Sequence, residues 1–424
     1  MKKTSEVFGI SNTILTDSYV DRGDKDEWLI RYLERSTHIA LRGESKCGKS
    51  WLRKKNIPNA IVVQCRFGTK VIDIYRDALS QLDIKLIIEN ENTSSLKGRI
   101  ETESEFGLSL FAKIKIMASG ESEKSATQKV NPVGKDINDL KFIADIIIAS
   151  ERRLVIEDFH YLSIQERRNF SFEMKSLWDY GCFIIIIGVW SQSNMLLNLN
   201  PDLSGRLIEE SIFWTPQDLG KVIQIGSNVL KIELDDGIKK SVINNCFGNV
   251  GILQTLMINI LDEANIFEEQ VNKKRITDIS IFKKAALKYA EQLNSIYISF
   301  AKTLSVGIRN RPKSTGIYAH AMAAIIEAAD EKLLQGLPLD EIYGIAHSRQ
   351  DRIKKGNLNA ILKKLEELQV DKDGRGLIIA YDISCNEITA VDRQLLFFRK
   401  YKNMNWPWEE LILESANDQL EEDE

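Results

Sequence analysis

The sequence predicts an α/β fold: a P-loop parallel sheet flanked by helices, then a helical lid and a C-terminal winged-helix domain. Three observations carry this expectation. Residues 43–50 read Gly-Glu-Ser-Lys-Cys-Gly-Lys-Ser, a complete Walker A pattern between an apolar run (Thr37 to Leu41) and a segment able to open a helix (Trp51, Leu52). Short apolar runs alternate with helical patterns through the first 215 residues, as buried parallel strands and their covering helices do. The last hundred residues instead carry three helical patterns and then two β runs, the element order of a winged helix.

Taken in order, residues 1–35 lead into the fold, with Asp26 to Leu33 helical in pattern. Residues 37–42 are the first strand, a short apolar run of the kind a buried parallel strand needs. Ala60 to Cys65 reads as the second strand and Val71 to Leu82 as a second helix. The stretch 86–137 breaks the rhythm; it is rich in Ser, Glu, Asn, Gly and Lys, and only Leu108 to Ile116 is patterned. Long unpatterned inserts are usually disordered or functional. It reads as a mobile surface insertion, or alternatively as a hairpin that contacts a partner or another copy. A helix at 137–150 restores the pattern, and strands follow at Leu154 to Ile156, Phe183 to Ile187 and Ile208 to Phe213. The longest apolar run, Cys182 to Trp190, is too short to span a bilayer and suits a central strand buried on both faces.

From Pro216 to about Leu261 the pattern is helical, a small lid, and residues 281–300 form another amphipathic helix. Residues 309–313 read as a linker. Tyr318 to Ala329, Pro338 to Ala346 and Gly356 to Gln369 are three further helices, the last with Leu358, Ile361, Leu362, Leu365 and Leu368 on one face. Gly376 to Tyr381 and Glu387 to Val391 then pair as a hairpin. The tail after Ser415 is acidic and is expected to be disordered. The expected domains are a core at 1–215, a lid at 216–300, a winged helix at 301–410 and a tail at 411–424.

The loop has a definite chemistry. Gly43 and Gly48 let the backbone wrap a phosphate, and the N–H groups of Ser45, Lys46, Cys47, Gly48 and Lys49 can face its oxygens. Lys49 reaches the β- and γ-phosphates, the Ser50 hydroxyl can ligate Mg²⁺, and Trp51 belongs to the helix whose N-terminus faces the anion. The expected cofactors are therefore ATP and Mg²⁺. Hydrolysis needs acids as well, and Leu154-Val155-Ile156-Glu157-Asp158 supplies two at the end of a strand. In one register Glu157 faces the metal and Asp158 orients the attacking water. In the other, Asp158 is the metal acid and Phe159 falls at the base position, with little catalysis.

Composition bounds the rest. A chain of 424 residues holds two or three domains. The net charge of −4 advertises no global nucleic-acid field, so a DNA site must be local. The five cysteines are scattered, with no zinc or disulfide spacing, and read as reduced thiols of a cytosolic protein with no membrane partner.

With these residues in hand, the chain resembles the AAA+ and STAND P-loop ATPases. The resemblance rests on the Walker A loop, Leu154 to Leu162, Ile187 to Asn194, Asp202 to Arg206, the lid segment Cys246 to Gly251 and the C-terminal winged helix. It covers about residues 15–265 well. It implies that Ser191 is sensor 1, with Gln192 and Asn194 as substitutes, and that Arg206 is a phosphate-sensing or finger arginine, in cis or on a neighbouring subunit; an ordinary surface salt bridge is the alternative. Tyr19 and Val20 fall where the family packs residues against adenine, or else simply in the core. Gly248-Asn249-Val250 resembles the STAND lid motif without its proline, and the lid lacks the sensor 2 arginine of many AAA+ proteins. His38 and His160 read as structural.

The third C-terminal helix is the expected recognition helix, with Lys363 and Lys364 outward and Arg375 at the entry to the wing. These would contact phosphates of double-stranded DNA; a protein-contact or spacer role is the alternative. Two function classes follow. One is an ATP-driven switch, which the resemblance associates with phage defence or transposition, with a separate effector chain and homo-oligomers as partners. The other is an ATP-gated DNA-binding initiator or regulator. A degenerate scaffold is the third alternative.

Overall fold

A computed structural model describes residues 1–22, 24–88, 98–101, 107, 109, 113, 137–190, 194–306, 315–369 and 377–420. The chain divides into two compact units. One comprises Gly23–Gly43 and Lys49–Ile212; the other comprises Met1–Arg22, Glu44–Gly48 and Phe213–Glu424.

The first unit is built on strands β1 (His38–Arg42), β2 (Ile61–Gln64), β3 (Lys85–Ile88), β4 (Gly98–Glu101), β5 (Leu154–Glu157), β6 (Ile185–Gly188) and β7 (Leu207–Ser211). β3 and β4 form a separate antiparallel pair at the start of the 86–137 stretch, most of which lies outside the described residues. The other five form one all-parallel sheet in the order β2-β5-β6-β1-β7. β6, Ile-Ile-Ile-Gly, is buried throughout between β5 and β1, as its unbroken apolar run requires. β7 lies at an edge and carries Glu209 and Glu210. Glu209 pairs with Arg42 at 2.8 Å and Glu210 pairs with Lys25, charges of the kind that blunt an open edge.

Leu154 and Ile156 alternate onto one face of the sheet, where the helices Val71–Ser80, Leu140–Ala149 and Ile164–Asp179 bring Ile74, Ile143, Phe170 and Met174. Each such fully buried side chain is worth about 1.5–3 kcal/mol. The helix Lys25–Leu33 is tied to Lys49–Asn56 through Asp26, which accepts from Lys55 at 2.7 Å and Asn56 at 2.6 Å.

His38 is a structural residue, as expected. Its Nε2 bonds the Met174 carbonyl at 2.9 Å and its Nδ1 accepts from Ile184 N at 3.1 Å, so the ring is held neutral with the proton on Nε2. Burial lowers its pKa from 6.5 to about 4, opposed by the Met174 bond and assisted by the Arg153 charge. His160 also falls to about 4, through burial against the pull of Asp158, with Lys49 and Arg167 adding to the shift. The unfolded chain takes these protons near pH 6.5, so the stability is whole above that pH and is lost as pH falls toward 4. The slope is about 1.4 kcal/mol per pH unit per histidine. Thermal melts from pH 7.5 to 4 should show this acid limb, and His38→Gln should flatten it by one histidine's share. An unchanged slope in that variant would contradict the assignment.

In the second unit the helices Pro216–Val229, Asp236–Asn245, Val250–Glu263 and Ile279–Val306 make up the predicted helical part. The side chains of Thr215, Asp235 and Asn249 cap the first three. Two three-residue strands, β8 (Ile232–Leu234) and β9 (Lys274–Ile276), pair in parallel; so short a run carries no period and escaped the sequence reading. The N-terminal residues, expected with the sheet, belong here instead. Gly9 N donates to Gln254 Oε1 at 3.0 Å, Gln254 Nε2 donates to Ser18 Oγ at 3.2 Å, and Phe8 is fully buried.

The C-terminal part holds the helices Ile317–Glu327, Asp330–Gln335, Leu339–Arg349, Lys355–Leu362 and Leu365–Gln369. Strands β10 (Leu337–Pro338), β11 (Ile379–Asp382) and β12 (Glu387–Ala390) form an antiparallel sheet in the order β10-β12-β11. The single helix expected over 356–369 is two. The break at Lys363 and Lys364 re-aims the last turn so that buried Gln369 bonds β11 and its lead-in. It accepts from Ile378 N at 2.9 Å and Ile379 N at 2.8 Å, and donates to Ile379 O at 2.9 Å. The helix Gln394–Tyr401 then stacks Phe398 on Tyr297 of the long helix, ring centroids 5.0 Å apart. A final helix, Pro407–Leu420, continues past Ser415, where disorder was expected. The linker at 309–313 lies outside the described residues.

Candidate phosphate-binding site

The loop backbone turns left-handed at Gly43 (φ 153°), Lys46 (φ 60°) and Gly48 (φ 89°). Such alternation of hand makes successive N–H groups converge into an anion-binding concavity. Lys49 opens the helix Lys49–Asn56; its Nζ donates to the Gly43 carbonyl at 3.0 Å and the residue is 8% exposed. Ser50 and Trp51 follow in the first turn.

Residues Glu44–Gly48 are embedded among groups that lie far from them in sequence. Asn249 caps the helix Val250–Glu263 and also donates through Nδ2 to Glu44 Oε2 at 3.0 Å and Ser45 O at 2.9 Å. This asparagine stands in the lid motif that lacks proline, and its side chain holds the loop directly. Gly251 permits that approach, because a Cβ there would lie 2.5 Å from Lys46 Cβ. Arg393 pairs through Nε with Glu44 at 2.5 Å and bonds the Phe247 carbonyl. Lys46 Nζ donates to Gln394 Oε1 at 3.0 Å, which also accepts from Tyr289 at 2.7 Å. The Cys47 carbonyl accepts from Arg22 and from Trp214. Of these side chains only Asn249 stands in a segment that the sequence marks, the Gly248-Asn249-Val250 lid motif. Of the residues expected at adenine, Val20 is buried and Tyr19 half-buried, two and three positions before Arg22.

Both acids stand at the carboxyl end of β5. Glu157 Oε1 accepts from Arg53 Nε at 3.1 Å and Nη2 at 3.0 Å, so its side chain is on the side of the helix Lys49–Asn56, one turn past Ser50. Asp158 takes a left-handed conformation (φ 56°) and accepts from Gln64 Nε2 at 2.9 Å. Phe159 is fully buried in the core. His160 is structural here too, its Nδ1 accepting from Val189 N at 3.3 Å.

Other expected residues are placed differently. Ser191 and Gln192 lie outside the described residues, and Asn194 N donates to Glu209. Arg206 precedes β7, where His38 N bonds its carbonyl at 2.8 Å. It is therefore beside the start of β1, the opposite end of that strand from Gly43, and cannot sense phosphate in its own chain. Its guanidinium lies 4.8 Å from the Trp178 ring and donates to the Asp202 carbonyl at 2.7 Å. Parallel strands put their amino ends together, which a linear motif order does not reveal. Lys363 and Lys364 are exposed at the helix break, while Arg375 lies outside the described residues.

Among the described residues no cluster of three His, Cys, Asp or Glu side chains could hold a metal alone. Mg²⁺ carried by nucleotide phosphates needs only one or two protein oxygens. No helix among the described residues is long and apolar enough to cross a membrane.

Sheet order and loop together define an α/β P-loop fold. The chain is similar in structure to the Walker-type ATPase of Pyrococcus abyssi, with a TM-score of 0.56 at 13% identity, covering 93% of this chain and 99% of that one. It also matches the Aeropyrum pernix Orc1 protein in complex with DNA (TM-score 0.38, 10% identity, 89% of this chain and 91% of that one). A further match is a Pyrococcus horikoshii STAND protein with a tetratricopeptide repeat sensor (TM-score 0.36, 13% identity, 98% of this chain and 47% of that one). No protein-family model matches the chain, and no curated protein matches it in sequence.

Proposed function

We propose that this chain is an ATP-binding and ATP-hydrolysing molecular switch of AAA+/STAND type, in which the nucleotide sets the pose of a C-terminal winged helix. One observation carries the reading. Within a single compact unit, Arg393 and Gln394, which follow the β11-β12 hairpin, hold Glu44 and Lys46 of the phosphate loop. A loop that must rearrange its polar partners around phosphate thus has the C-terminal part among those partners. Ser50 and Glu157 would hold the phosphate-borne Mg²⁺, Glu157 through the oxygen that Arg53 leaves, and Asp158 would orient water. The output would be engagement of a separate effector, of further copies of the chain, or of duplex DNA through Lys363 and Lys364.

The test is nucleotide release. Arg393→Ala removes the Glu44 pair and should speed ADP release about tenfold, the equivalent of about 1.4 kcal/mol. Stopped-flow release of a fluorescent ADP measures it. Unchanged release and unchanged turnover in the folded variant would sink the coupling. The same turnover assay run with and without duplex DNA at low salt separates a DNA-gated switch from one that answers to protein.

A further inference from the structure

We propose that Arg22 and Trp214 are positioning residues for phosphate binding: together they lock the Cys47–Gly48 peptide so that the Gly48 N–H faces into the loop. This rests on the reading of residues 43–50 as a nucleotide-phosphate loop. The Cys47 carbonyl accepts two hydrogen bonds, from Arg22 Nη1 at 2.7 Å and from Trp214 Nε1 at 2.9 Å. All three residues are buried, at 4%, 9% and 1% exposure for Arg22, Trp214 and Cys47. A carbonyl oxygen has two lone pairs, and these donors fill both. Turning the peptide would break both bonds in a site that water does not reach, so each lost bond would go uncompensated.

The consequence follows from peptide geometry. In a trans peptide the C=O and the next N–H point in opposite directions. With the Cys47 oxygen turned toward Arg22 and Trp214, the Gly48 N–H is turned away from them, toward the concave side of the loop. Gly48 has φ +89°, and a Cβ there would meet Arg22 Nη1 at 3.4 Å. Glycine therefore supplies the left-handed turn and lets the guanidinium pack against the main chain. The two donors also brace each other, since the Arg22 Cζ lies 4.6 Å from the Trp214 ring centroid. Donation from a cation polarises the amide and makes its N–H a stronger donor. Neither side chain touches phosphate in this scheme; both act through one peptide plane.

The test uses the full-length protein and two probes, ADP and inorganic pyrophosphate, which lacks base and sugar. Trp214→Phe and Arg22→Met each remove the donor at similar volume. Trp214→Phe should weaken both probes about 3- to 10-fold and Arg22→Met about 10- to 100-fold, the difference between a neutral and a charged donor. Each variant should lose the two probes by the same factor, and Arg22→Lys should restore most of the loss. A residue that merely anchors the N-terminal segment would lower the melting temperature and leave both affinities alone, and that result would overturn the proposal. A loss confined to ADP would also overturn it, by placing Arg22 at the base or sugar. If Arg22→Met does not fold, Trp214→Phe, which removes only a neutral donor, carries the test. Lys49→Ala is run alongside; should it leave pyrophosphate binding intact, the phosphate-loop reading itself falls, and the proposal with it.

Discussion

Replacing Lys49 by alanine is expected to abolish ATP binding and to leave the fold intact. The ammonium supplies up to three charge-assisted hydrogen bonds to phosphate oxygens, each worth about 1.5–3 kcal/mol. Two such bonds correspond to a loss of about 100-fold or more in affinity. Stability should barely change. Lys49 begins its helix, where a positive charge opposes the helix dipole, so its removal offsets the lost bond to the Gly43 carbonyl. Calorimetry with ATP, paired with a thermal melt, reads both quantities. An unchanged affinity in the variant would remove the Walker A assignment and the functional reading built on it.

Asp158→Asn should keep ATP and lose turnover by about 100-fold or more, the usual contribution of a positioned general base. The structure makes this substitution clean. Asparagine tolerates the left-handed conformation that Asp158 adopts, and its carbonyl oxygen can still accept from Gln64. A loss of rate would therefore be a loss of chemistry. Glu157→Gln should act differently. It keeps an acceptor for Arg53 but not the charge, so Mg²⁺ dependence should weaken first, with some loss of stability from the unbalanced buried guanidinium. Steady-state turnover across a Mg²⁺ series distinguishes the two. Normal turnover in Asp158→Asn together with loss in Glu157→Gln would exchange the roles.

What the sequence determined by itself was whatever is written contiguously. The Walker A pattern, the apolar runs that become β1, β5 and β6, and the acids closing β5 are each encoded within a few adjacent residues. A period of two, an unbroken apolar run or a glycine at a forced turn leaves a mark that needs no partner to be read. Errors arose where meaning depended on a distant partner. Arg206 follows the right segments for a phosphate sensor in cis or on a neighbouring subunit, yet the parallel register sets it beside the start of β1, which excludes the first of these. The helix expected over 356–369 breaks because Gln369 must reach the main chain of 378–379. The contacts gripping Glu44–Gly48 were invisible for the same reason. Arg22 and Trp214 reach Cys47 across 25 and 167 residues, Asn249 reaches Glu44 across 205, and Gln394 reaches Lys46 across 348. A hydrogen bond of about 3 Å is set by how packed helices bring two side chains together. No local pattern records that distance, so the loop's pattern was legible in the chain, while the residues that hold it in shape were decided only by tertiary packing.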